Sequence, residues 1–69
     1  MVKPLHEMTI AELMATRRDA KLNAVSIQAA MRGARGKDKI ELEEAAYENR
    51  SYIKTINARI ARLERVGRQ

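Results

Sequence analysis

The chain of 69 residues contains no cysteine, no tryptophan and no phenylalanine. Without cysteine it has no disulfide framework, no thiolate nucleophile and no zinc–thiolate site. No apolar run approaches the roughly 18 residues of a membrane span, and the N-terminal residues lack the apolar segment of a secretory signal. We therefore expect a cytoplasmic protein, or one in a particle assembled in the cytoplasm, that has no membrane partner.

Residues that carry catalytic or metal chemistry are nearly missing. The single histidine, His6, lies in an N-terminal segment that we expect to be frayed, and it has no partner at ligand spacing. The glutamates between residues 41 and 48 have no Glu-x-x-His companion and are typical of a helix N-terminus. Residues 33–37 lack the spacing of a phosphate-binding loop. We predict a non-enzymatic protein with no cofactor, no metal and no small-molecule substrate.

Two stripes of mainly apolar residues, with alternating spacings of three and four, dominate the rest of the sequence. The first consists of Ile10, Leu13, Arg17, Ala20, Ala24, Ile27 and Met31, and the second of Leu42, Ala46, Asn49, Ile53, Ile56, Ile60 and Leu63. This heptad spacing predicts two helices that pack against each other. We expect Arg17 at the edge of the interface with its charged head in water. Asn49 either fixes the register of the helices or weakens their interface.

The start of the first helix has a strong local signal. Thr9 and Glu12 have the spacing of a capping box, in which each side chain accepts a hydrogen bond from the backbone amide of the other. Met8 and Leu13 occupy the positions of a hydrophobic staple around that cap. The sequence therefore predicts a helix that begins at residue 10.

The connection is predicted from glycine and from a second cap. Gly33 is expected to end the first helix in a left-handed conformation. Asp38 and Glu41 predict an aspartate capping box for the second helix, and Gly67 its C-terminal cap. The expected fold of the single domain, 1–69, is an all-α antiparallel two-helix coiled-coil hairpin, with helix 10–32, loop 33–38 and helix 39–66.

A less favoured alternative is a small α+β module of the phage head–tail joining kind. It keeps the first helix short and makes strands of residues 24–31 and 39–44. The acidic, alanine-rich run after Lys39 and the lack of a β-turn signature both disfavour strands there.

Several apolar side chains fall outside the two stripes. A two-helix hairpin has only one internal interface, and a core of this size is marginal. The off-stripe residues therefore face water or a partner. We expect them to form a protein interface, either with a second copy or with another protein: Leu22, Val25, Tyr47 and Tyr52.

The net charge of +5 is concentrated in the C-terminal third, where residues 49–69 carry six basic residues and one acidic residue. Such a basic end indicates either a nucleic-acid partner or a solvated face near a helix C-terminus. With few aromatic residues, stacking on single-stranded bases is not supported. The candidate contacts to nucleic-acid phosphates are Arg32, Arg35, Lys37, Arg50, Lys54, Arg65 and Arg68.

Two short segments resemble a known family. Residues 5–13, with the sequence LHEMTIAEL, and residues 60–63, followed by Val66, resemble the two ends of the ribosomal large-subunit protein of the twenty-nine family. That family is a basic antiparallel helical hairpin that lies on ribosomal RNA near the exit tunnel. The resemblance implies RNA contacts from Arg59, Arg62 and the basic loop. The family's middle pattern, Phe-Asn-Leu-Arg, has no counterpart here, and the span between the two matching ends is longer.

Two functions follow from these observations. The first is a structural or adaptor subunit that completes its core inside a larger assembly, such as a virion or phage component or an assembly factor, by oligomerisation or by docking on a partner. The alternative is a basic RNA-binding hairpin of the large-ribosomal-subunit type.

Overall fold

The computed structural model describes residues 3–67 and forms an antiparallel pair of α-helices. A 3-10 turn at Leu5–Glu7 precedes helix α1, Ile10–Met31, and a short loop leads to helix α2, Lys37–Gly67. The rod measures 51 × 21 × 16 Å. The helical-hairpin prediction is confirmed. The α+β alternative is wrong, because residues 24–31 and 39–44 are helical and no strand occurs within residues 3–67.

The start of α1 has the predicted capping box. The Thr9 side-chain oxygen accepts a hydrogen bond from the Glu12 amide at 3.2 Å, and the Glu12 carboxylate accepts one from the Thr9 amide at 3.1 Å. The Thr9 amide, together with the Lys3 ammonium group 3.2 Å away, lowers the pKa of Glu12. Met8 is buried against Leu13, so the staple is also formed.

The end of α1 differs from the prediction. Gly33 does not have a left-handed conformation, and Arg32 at the helix terminus has an ordinary helical φ of −60°. The helix instead ends in a tightened last turn, in which the amides of Gly33 and Ala34 each bond to the carbonyl three residues earlier at 3.3 Å. These bonds satisfy terminal carbonyls without a left-handed residue. The prediction for Gly33 was therefore wrong.

The chain reverses at Gly36, whose φ is 60°. Its carbonyl accepts the first hydrogen bond of α2, from the Ile40 amide at 3.3 Å. Gly36 is therefore the N-terminal cap, and Asp38 lies inside the first turn, where its charge complements the helix dipole. The predicted Asp38 capping box is wrong because α2 begins earlier, at Lys37. Gly67 belongs to α2, and the residues that would show a cap after it lie outside the described part of the chain.

Both predicted stripes form the helix–helix interface, since every member is buried or half-buried. The tightest packing lies near the chain termini, where Leu13 and Ile56 have no exposed surface and contact Met8 and Ile60. The loop half of the interface mixes small and large side chains, with Ala24 and Ala46 beside Ile27, Met31 and Leu42. The main buried cluster lies at the open end of the hairpin, away from the loop.

Polar contacts align the two helices. The Asn49 side chain donates to the Ala20 carbonyl oxygen at 2.8 Å and accepts from the Asn23 amide group at 3.4 Å. Arg17 lies at the edge of the interface, as predicted, and donates to Asn57 on α2 at 2.8 Å. Because a backbone carbonyl accepts from Asn49 at one level of α1, this bond fixes the register of the helices.

Asn49 donates and Asn57 accepts in the hydrogen bonds between the helices, and this difference tests whether the Asn49 bond fixes the register. Asn49 is a donor, so Asn49→Asp places a carboxylate against a carbonyl oxygen and lowers the free energy of unfolding at pH 7 by about 1–3 kcal/mol. Asn57 is an acceptor for Arg17, so Asn57→Asp leaves stability unchanged or raises it by up to about 1 kcal/mol. Both are measured by urea unfolding.

The pH dependence provides the control. The carboxylate introduced by Asn49→Asp faces the Ala20 carbonyl oxygen, so its pKa in the folded state lies above the unfolded value of about 4. The deficit relative to the wild type therefore shrinks as the pH falls through that raised pKa toward about 4, because the protonated carboxyl group again donates a hydrogen bond. Equal effects of the two substitutions at pH 7 would show that Asn49 does not act as an interhelical donor.

Candidate interaction surfaces

The outer face of α1 carries a second heptad stripe, on roughly the opposite side of the helix from the interface with α2. We call it the outer stripe; its members are Ala11, Ala15, Arg18, Leu22, Val25, Ala29 and Arg32, with spacings of four and three. Leu22 and Val25 at its centre are 62% and 65% exposed. Apolar residues therefore surround α1 on both sides, a pattern typical of a helix that is covered on both sides.

The four residues predicted to form a protein interface do not share one surface. Leu22 and Val25 lie together on the outer stripe. Tyr47 is 67% exposed and lies on the face of α2 that points away from α1. Tyr52 is partly covered and lies beside the groove between the helices, next to Asn49. The predicted interface is therefore divided among three places.

The outer face of α2 changes sign along its length. Near the loop, Ile40 and Tyr47 lie among exposed glutamates at 43, 44 and 48. Further along, Arg50, Lys54 and Arg65 are exposed on one flank, and a shallow groove links Tyr47 with the first two. We call Arg50, Lys54 and Arg65 the basic strip. An acidic segment therefore separates the strip from the basic loop.

The predicted nucleic-acid contacts lie in two groups. Arg32, Arg35 and Lys37 are exposed at the loop end of the rod. The far end of the basic strip lies roughly 40 Å away along α2, at 1.5 Å per residue. Arg68 lies outside the described residues. A nucleic acid that touched both groups would have to follow the length of the hairpin.

Arg59 has a structural contact that the sequence did not predict. Its guanidinium group donates to the His6 carbonyl at 3.0 Å and is half-buried. Its Nε is buried with no hydrogen-bond partner within the described residues. The bond joins the N-terminal 3-10 turn to α2, so the expectation that the segment around His6 is frayed is wrong. Arg62, the other arginine named by the family resemblance, is exposed.

The surfaces show little chemistry beyond charge and apolar contact. Within residues 3–67 there is no group of three or more His, Cys, Asp or Glu side chains that could hold a metal ion. No helix in that part of the chain is both long and apolar enough to cross a membrane. The groove beside Arg17 is lined by α1 alone, so it is a surface depression.

No protein-family model matches the chain, and searches of the curated proteins and of the solved structures gave no significant match. The functional inference therefore rests on the hairpin's own surfaces, which are the outer stripe, the two halves of α2 and the loop.

The contact between Arg59 and His6 predicts that Arg59→Ala loosens the N-terminal turn. Losing a hydrogen bond from a charged donor costs about 1.5–3 kcal/mol, and the amides of Glu7 and Met8, which close the turn, should exchange with solvent faster. Hydrogen exchange followed by NMR measures this directly. Arg62→Ala is the matched control, since it removes the same charge from an exposed position, and equal exchange in both variants would contradict the assignment.

Proposed function

We propose that this chain is a non-enzymatic structural or adaptor subunit, a helical hairpin that packs into a larger multi-subunit assembly. The observation that carries the proposal is the outer stripe, on which Leu22 and Val25 remain largely exposed at heptad spacing. Scattered apolar residues are ordinary on a protein surface, but a stripe along a whole helix is typical of a helix-packing face.

The energetics support the same conclusion. The core of the described part of the chain is small: six buried apolar residues, one of them alanine. Covering the exposed parts of Leu22 and Val25 adds roughly 1–2 kcal/mol each. Small domains have a total stability of about 5 kcal/mol or slightly more, so this gain is a large share of it. An assembly therefore supplies packing that the hairpin alone lacks.

Five of the seven residues of the outer stripe are apolar, and its two arginines lie on either side of Leu22 and Val25. A partner can cover a face of this composition because arginine stems pack while their charged heads reach water. Virus and phage particles, and the complexes served by assembly factors, are the kinds of assembly in which such hairpins complete their core.

The proposal predicts how the chain sediments in an extract of its native cells. The wild-type chain should travel in a particle much larger than a pair of hairpins, and the double substitution Leu22→Gln and Val25→Gln should release it. Both positions are exposed in the hairpin, so the variant should keep its helical circular dichroism. The substitution Ile40→Gln, at a site 58% exposed on α2, is the matched control and should leave the particle intact. A wild-type chain that sediments as a free hairpin or dimer would contradict the proposal.

A second candidate function is favoured by the basic strip. Arg50, Lys54 and Arg65 point away from α1 along one flank, an arrangement that can follow a phosphate backbone without reading bases. We propose as this alternative a basic RNA-binding hairpin of the large-ribosomal-subunit type that contacts nucleic-acid phosphates through its C-terminal arginines. Arg62 remains exposed for such contacts, whereas Arg59 is already bonded to His6.

Two triple variants with the same loss of charge test this candidate. Replacing Arg50, Lys54 and Arg65 with Gln should abolish binding to RNA, whereas replacing Arg32, Arg35 and Lys37 with Gln should retain most of it. Wild-type affinity should fall with salt at a log–log slope of roughly 0.7–0.9 per phosphate neutralised. Binding is measured by fluorescence anisotropy on RNA and DNA duplexes and single strands.

Two results would count against the RNA-binding candidate. Absence of wild-type binding at about 50 mM salt, where phosphate contacts are strong, would exclude it. An equal loss of affinity in the two triple variants would mean that the net charge of the chain attracts the nucleic acid. The basic strip would then not be a specific binding site.

A further inference from the structure

The outer stripe of α1 has a self-complementary order of residues. Its two large aliphatic side chains, Leu22 and Val25, flank the midpoint of the stripe. On either side of that midpoint, each arginine has an alanine at the same distance: Arg18 corresponds to Ala29, and Arg32 to Ala15. A stripe of this kind fits a copy of itself turned end over end.

We propose that the outer stripe packs against the outer stripe of a second copy, in antiparallel orientation about a two-fold axis near the midpoint. This rests on the proposed function, because it names the first partner in the assembly. The two α1 helices then form the centre of a four-helix layer, with one α2 helix on each outer side. Leu22 of one copy lies against Val25 of the other, and the reverse contact repeats across the axis.

The large and small side chains alternate across this interface. Arg18 lies against Ala29 of the second copy, so its aliphatic stem covers a methyl group while its head reaches water. Arg32 lies in the same way against Ala15. Packing of large against small residues lets two helices interdigitate without voids or strain. The small alanine side chains of the outer stripe thus leave room for the arginine stems of the second copy.

A parallel pair is disfavoured by charge. It would place Arg18 on Arg18 and Arg32 on Arg32 of the second copy, and like charges at one level of an interface repel. The antiparallel pair instead sets each of these arginines against an alanine of the second copy.

The residues that flank the stripe are compatible with the antiparallel pair. Lys21 and Gln28 lie on one edge, and Asp19 and Ser26 lie on the other; all four are exposed. In the antiparallel arrangement Lys21 meets Gln28 of the second copy, and Asp19 meets Ser26. Each charge therefore has a neutral hydrogen-bonding group as its nearest partner across the interface.

Sedimentation equilibrium of the purified chain between about 1 and 200 µM tests self-association. We expect a dimer that the double substitution Leu22→Gln and Val25→Gln converts to a monomer with unchanged helical content. The variant Ile40→Gln, which alters an exposed apolar residue outside the stripe, should remain a dimer. A wild-type chain that stays monomeric throughout, or a dimer that survives the double substitution, overturns the proposal.

Cysteine cross-linking tests the orientation, since the natural sequence has no cysteine. An Arg18→Cys chain is mixed with an Ala29→Cys chain and oxidised gently. We expect disulfides between unlike chains, because identical positions lie roughly 16 Å apart in the antiparallel pair at 1.5 Å per residue, which no disulfide spans. Disulfides mainly between like chains would overturn the antiparallel register.

The two tests fail in different ways. If the purified chain is a monomer while the native particle still depends on Leu22 and Val25, another protein covers the stripe: this inference fails and the proposed function stands. If the purified chain dimerises as described but sediments as an isolated dimer in native extracts, the proposed function fails.

Discussion

Two packed helices have a single interface between them, and that interface has to bury almost everything that this chain hides from water. Leu13 and Ile56 are fully buried in it near the chain termini, and Met8 packs in the same cluster. The bond from Arg59 to the His6 carbonyl holds the N-terminal turn against α2. Further toward the loop, the Asn49 side chain reaches across to the Ala20 backbone carbonyl, opposite a small residue. The interface with α2 cannot also bury the side chains on the outer face of α1, and Leu22 and Val25 there remain exposed. A helix with apolar residues on two opposite faces therefore has one face covered and one exposed.

Patterns that repeat or act locally were predicted well from the sequence. Both stripes were correctly placed in the interface because heptad spacing repeats along a whole helix, and the Thr9 cap was found because its hydrogen bonds span one turn. The site of chain reversal was missed, since Gly33 and Gly36 are equally able to adopt a positive φ and only the packed hairpin selects Gly36. The role of Asn49 also depended on the small residue opposite it, which no single-helix pattern reveals.

The interaction surfaces were only partly predictable for a similar reason. A helical wheel places residues around their own helix, so it grouped Leu22 with Val25 correctly but did not show that Tyr47 and Tyr52 lie elsewhere. Most members of the outer stripe are alanine or arginine, which draw little attention until α1 is known to have a free face. Once that face is known to be free, the self-complementary order of its residues indicates how two copies could pack against each other. The electrostatic division of α2, acidic near the loop and basic near its end, gives the assembled hairpin a second, separate surface.

Whether the outer stripe of α1 is covered in the working protein is tested most directly by cysteine labelling inside native cells. Leu22→Cys and Ile40→Cys place single thiols at sites that are 62% and 58% exposed in the isolated hairpin, so their intrinsic access to a maleimide is alike. If the stripe is a packing face, Leu22→Cys should label at least tenfold more slowly than Ile40→Cys in cells, and equally fast after denaturation. Equal labelling of both thiols in cells would show that α1 keeps its outer face in water, contradicting an assembly role for it.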